Sequence, residues 1–88
     1  MVIRVSGALQ RFTDYRRVIN VDAPTVEAAL HKLTGEYQQL KKVLFDRDGK
    51  VRATNKVFLN GEQLEPAQLA SHAGAADSVD LLLAISGG

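Results

Sequence analysis

"SVDLLLAI", residues 78–85, is the stretch on which the fold turns. At the two-residue period of a strand, Val79, Leu81, Leu83 and Ile85 share one face, and Asp80, Leu82 and Ala84 share the other. The first face is wholly apolar, and the second is apolar except at Asp80. A strand apolar on both sides suits the middle of a sheet, paired along both edges. Residues 2–6, "VIRVS", carry the β-prone Val2, Ile3 and Val5 and are its candidate neighbour.

Just upstream, "KVFLNGEQL" (56–64) is the clearest local signal in the chain. Asn60-Gly61 favours positive φ at both central positions, as a type I′ hairpin turn demands. Alternation along the leading strand puts Val57 and Leu59 on one face and Lys56 and Phe58 on the other. Residues 65–77 read as a short helical turn and loop, and "DRDGK" (46–50) as a turn built on Asp48-Gly49. Towards the N-terminus, "RRVINV" (16–21) is a second β-prone run, with Val18 and Asn20 facing one way and Ile19 and Val21 the other. It completes a hairpin with the first strand, through a loop over residues 7–14.

"DAPTVEAALHKL" (22–33) opens a helix, with Asp22 or Thr25 as N-cap and Pro24 in the first turn. Val26, Ala29, Leu30 and Leu33 form one apolar stripe. The rhythm continues through Tyr37, Leu40 and Leu44, so residues 25–44 form either one long helix or two. Gly35 and the β-branched Thr34 favour a break at Gly35 and a second short helix over 38–44. The predicted order is β-β-α-(α)-β-β-turn-β. This is an α+β domain: a mixed four- to five-stranded sheet packed on one main helix.

Composition narrows the function. The chain has 88 residues, enough for one domain, and 45% of them are hydrophobic, the usual share for a globular protein. Eleven basic against ten acidic side chains leave a net charge of +1, which argues against a dedicated nucleic-acid or membrane-surface binder. Arg16-Arg17 and Lys41-Lys42 are local basic spots. No apolar run approaches membrane-spanning length and no signal peptide is visible, so a cytoplasmic location is expected.

With no cysteine there is no disulfide, thiol nucleophile or thiolate ligand. His31 and His72 lie far apart without partners at ligand spacing, so no metal is expected. Phosphate-binding glycine loops and zinc-protease motifs are absent. None of Ser6, Ser71, Ser78 and Ser86 sits in a nucleophile elbow, and Asp46 and Asp48 read as turn formers. The chain is expected to be a substrate or adaptor, and not an enzyme.

The sequence ends "SGG". Ser86, Gly87 and Gly88 follow the apolar strand directly and form a tail beyond a domain of residues 1–85. Extended, they reach roughly 10 Å. Two residues without Cβ make a slim, pliable peptide that can thread a narrow cleft and offer an unhindered terminal carbonyl.

"KVFLNGEQLE", a short helical turn and "DSVDLLLAISGG" resemble the second half of ubiquitin, and more closely the bacterial sulfur carriers. That family includes the small subunit of molybdopterin synthase (MoaD), the thiamin-pathway ThiS and the cysteine-pathway CysO. The likeness also takes in the opening hairpin and "PTVEAALHKL", and the long middle segment (37–62) is similar to the MoaD and CysO types. The resemblance implies a ubiquitin-like β-grasp fold. It implies that Gly88 is the covalent site, adenylated and then converted to a thiocarboxylate, with Gly87 keeping access clear. The implied partners are a MoeB/ThiF-like adenylating enzyme that uses ATP and Mg, a sulfur donor and a sulfur-accepting synthase, with no cofactor bound by the chain itself. Phe58 and Leu82, outward by alternation and side by side in this layout, are candidate partner-binding residues together with Ser86. Leu9 and Phe12 are expected to extend that patch.

Overall fold

A computed structural model describes residues 1–83. Its elements are β1 (Val2–Val5), α1 (Gly7–Gln10), β2 (Val18–Asn20), α2 (Val26–Glu36), α3 (Gln38–Leu44), β3 (Asn55–Leu59), β4 (Glu62–Gln63), a 3-10 turn (Pro66–Gln68) and β5 (Ser78–Leu83). The sheet is five-stranded in the order β2-β1-β5-β3-β4. β5 is central, parallel to β1 and antiparallel to β3, while β1–β2 and β3–β4 are antiparallel hairpins. The mixed sheet with the last strand at its centre is the arrangement that the apolar run at 78–85 implies.

Register explains which side chains meet. Ile19, Ile3, Val79 and Leu59 align across four strands, and Val5, Leu81 and Val57 form the next inner row. Ile3, Val79 and Leu81 are completely buried, and they pack in one cluster with Val26, Ala29, Leu30 and Leu33 of α2 and Leu40 and Leu44 of α3. The helices therefore cover one face of the sheet and leave the other to solvent.

The N-terminus of α2 is anchored at several points. Thr25, and not Asp22, is the N-cap, its Oγ1 accepting from the Ala28 N–H at 3.1 Å. The Val26 and Glu27 N–H groups donate to the Ser71 and Leu69 carbonyls at 3.1 and 2.8 Å. Donors that a helix start leaves without intrahelical partners thus fix the path of the segment before β5.

Two expectations need correcting. Gly35 does not end the first helix, which continues to Glu36 and turns at Tyr37 (φ −114°, ψ 82°) before α3 begins at Gln38. Tyr37 at the break and Leu33 and Leu40 on either side of it are buried, and packing of both helices, rather than glycine, decides where it falls. The stretch after β1 is also not simply a loop: α1 makes one helical turn, and Leu9 within it is completely buried. Leu9 belongs to the core and cannot extend a surface patch. Phe12 is half-buried against the same core.

Candidate functional site

The solvent face of the sheet is set by the strand alternation. One row crosses all five strands: Val18, Arg4, Asp80, Phe58 and Gln63. In the next row Leu82 stands opposite Lys56. Phe58 and Leu82 therefore share this face on neighbouring strands as a diagonal pair, displaced by one row rather than directly side by side. Leu82 is 41% exposed and Phe58 is half-buried. Within the first row, the Arg4 guanidinium lies 4.0 Å from the Asp80 carboxylate, a loose surface ion pair worth well under about 1 kcal/mol.

At the end of the sheet where β5 begins, the type I′ turn is formed as its sequence demands, with φ of 51° at Asn60 and 87° at Gly61. Asn60 fastens this turn to the start of β5: its Nδ2 donates to Asp77 Oδ1 at 3.0 Å, and its Oδ1 accepts from the Ser78 N–H at 2.9 Å. The other Asp77 oxygen accepts from the Gly74 N–H at 2.7 Å. That backbone donor, followed by the Asn60 amide, holds the Asp77 carboxyl below its ordinary pKa. Asp46 is similarly lowered, first by the Lys50 N–H, within the Asp48-Gly49 turn.

The other end is built around a buried hydroxyl. Thr13 is fully buried, and its Oγ1 lies 3.2 and 3.0 Å from the carbonyls of Gln10 and Arg16, which share its one proton. The chain turns there through two consecutive left-handed residues, Asp14 (φ 53°) and Tyr15 (φ 61°). An aromatic residue in that region is a strained choice. The Tyr15 N–H donates to the Gln10 carbonyl at 2.8 Å, and Tyr15 itself is 75% exposed. Val18, three residues on, is 55% exposed.

Tyr15 and Val18 are the surface residues that sequence reasoning misses as a feature. Val18 could have been found, since it shares the outward face of Asn20 in its strand. Tyr15 could not, because no glycine or Asn-Gly pair announces the left-handed turn. Ser86, Gly87 and Gly88, the remaining candidates, lie outside the described residues, as do Ala84 and Ile85. Among the described residues no group of His, Cys, Asp or Glu could hold a metal ion, and no helix is long and apolar enough to cross a membrane.

No known protein-family profile and no curated protein matches the chain. Solved structures do. SAMP1 from Haloferax volcanii superposes with a TM-score of 0.82 at 29% identity, covering 100% of this chain and 98% of that one. The small archaeal modifier protein 1 of Methanosarcina acetivorans gives 0.84 at 21% identity, covering 99% and 94%. A complex of BexX and CysO from Amycolatopsis orientalis contributes a match of 0.83 at 18% identity, covering 99% and 98%. The chain has the ubiquitin-like β-grasp fold. Its likenesses lie among the ubiquitin-like sulfur carriers and modifiers, the class that the Asn-Gly hairpin and the apolar strand before Gly-Gly resemble.

Proposed function

We propose that this β-grasp chain is a sulfur carrier whose reactive group is the carboxylate of Gly88. The supporting observation is the Gly87-Gly88 pair, a few residues after a central strand in a chain whose likenesses include CysO. A carboxylate is a poor electrophile. A MoeB/ThiF-like partner, using ATP and Mg, lets a Gly88 oxygen attack the α-phosphorus and releases pyrophosphate, leaving an acyl adenylate. Sulfide attacks the carbonyl carbon and expels AMP. On the alternative route a partner's persulfide attacks, and a second thiol of that partner cleaves the resulting acyl disulfide by forming a disulfide with the first. The product thiocarboxylate is a soft nucleophile that passes sulfur to an acceptor held by a synthase of cysteine, molybdopterin or a related metabolite. The chain contributes position, placing its terminus in the partner's site, while the partner supplies charge stabilisation and metal.

A second reading is conjugation of Gly88 to protein lysines. It is favoured by the 29% and 26% identity to a small archaeal modifier protein, above that to the CysO structures at 18% and 22%. In that reaction a partner thiol, and then an amine, attacks the same activated carbonyl.

Intact mass spectrometry separates the two. The full chain is incubated with ATP, magnesium, sulfide and an adenylating enzyme of the ubiquitin-activating type from the same genome. Exchange of one oxygen for sulfur at Gly88 supports the carrier. A covalent adduct to another protein, with no thiocarboxylate, supports the modifier. An unchanged mass sinks both.

A further inference from the structure

We infer that the corner formed by α1, the 11–17 turn and the start of β2 is a docking lip, fitted to a partner whose cleft entrance is acidic and has an apolar seat. The inference rests on the carrier reading, because it concerns the protein that receives the chain beyond β5.

The placement follows from topology. β1 runs parallel to β5, with Val5 opposite Leu81, so Ser6 and α1 sit at the end of the sheet where β5 finishes. The Leu83 N–H points to Ser6 Oγ at 3.4 Å. β2 is antiparallel to β1, and the Val5 N–H donates to the Arg17 carbonyl at 2.9 Å, so Arg16 and Arg17 enter β2 at that same end. From there the chain goes on to Gly88.

The surface chemistry of this corner is distinctive. The large hydrophobic side chains exposed among the described residues are Tyr15, Val18 and Leu82, and all stand at or beside this end of the sheet. Arg11, Arg16 and Arg17 are exposed around them, and the ion pairs among the described residues involve other side chains. The acids nearby are Asp80, which shares its row with Val18 and pairs with Arg4, and Asp14 and Glu36, which line a shallow depression with Phe12 and Gln38 on the helix side of the turn. Glu65 accompanies Lys56 further along, lining another depression with it. The lip itself thus pairs a tyrosine with three guanidiniums, residue types enriched among those that dominate binding energy at interfaces, and sets an exposed valine beside them.

The backbone supports the same conclusion. Tyr15 holds φ 61°, which its side chain disfavours, and the turn is tied down by its N–H bond to the Gln10 carbonyl and by the buried Thr13 hydroxyl. A rigid turn holding an exposed tyrosine is a pre-organised anchor, and the flanking arginines steer it to negative potential.

The test uses ATP–pyrophosphate exchange by the same adenylating enzyme, with the full chain as variable substrate. Raising salt from about 50 to about 500 mM is expected to raise KM roughly tenfold, because exposed charges are screened. Arg16→Glu with Arg17→Glu is expected to raise KM at low salt by about tenfold or more with kcat unchanged, whereas Lys41→Glu with Lys42→Glu, an equal charge change on α3, leaves KM within about twofold. Tyr15→Gly relieves the left-handed strain, so the variant should melt no lower than wild type and still show a raised KM. Exchange that is indifferent to salt, to the arginine reversal and to Tyr15→Gly overturns the lip and leaves the carrier reading standing. No exchange with wild type at any concentration overturns both.

Discussion

Where β5 begins, Asn60, Asp77, Ser78 and Gly74 are tied by side-chain hydrogen bonds of 2.7–3.0 Å, and left-handed backbone falls on Asn60 and Gly61, which tolerate it. Where β5 finishes, left-handed backbone falls on Asp14 and Tyr15, and arginines surround exposed apolar side chains. The first end uses its polar groups to close a hairpin. The second buries the Thr13 hydroxyl but keeps its arginines and Tyr15 turned outwards. One sheet therefore separates what holds the fold from what meets another molecule, and the two should respond differently to mutation.

The largest effect should come from the middle that both ends share. Leu81→Ala, at a completely buried site between Val5 and Val57, should lower unfolding free energy by about 3 kcal/mol in urea titration. Next, Asn60→Ala removes both hydrogen bonds to the β5 start and a residue suited to φ 51°, and should cost about 1–2 kcal/mol while leaving the exchange KM unchanged. If Asn60→Ala instead altered docking and not stability, the division between the ends would be wrong.

Phe58→Ala should cost less stability than either. Half-buried on the outer face, it should lose about 1 kcal/mol of stability and more than that in docking. The reverse ratio would assign Phe58 to the fold alone.

How far these regions were legible in sequence follows the same division. The central strand, the Asn60-Gly61 turn, the α2 stripe and the short α3 could be read because each repeats a period or uses a residue with one backbone meaning. Leu9 could not be placed, since a helix of one turn has no period and the residue looks like any apolar one in a loop. Gly35 misled because a helix can carry glycine without ending when its neighbours are packed. Thr13 and Tyr15 escaped because their roles depend on carbonyls three to five positions away, meeting only once α1 has formed. On the site itself, the outward faces of Phe58 and Leu82 followed from alternation, and the diagonal offset needed the β3–β5 register.

A smaller effect is expected with pH. The Asp77 carboxyl titrates below its ordinary 3.8 in the folded chain, so its contribution is present above that value and is lost as pH falls through the lowered one. Asp77→Asn should flatten that part of the acid limb in thermal melts below about pH 4 and leave neutral-pH docking unaltered.

The smallest effect on stability should accompany the largest on function. Gly88 has no side chain to bury, so deleting it should leave the melting temperature unchanged. The measurement that bears most directly on the account is therefore the intact mass of wild-type and Gly88-deleted chains after the same treatment with activating enzyme, ATP, magnesium and sulfide. The account predicts one sulfur in place of one oxygen on the wild type and no change in the equally folded deletion. Equal loading of both chains, or none on the wild type, would contradict it.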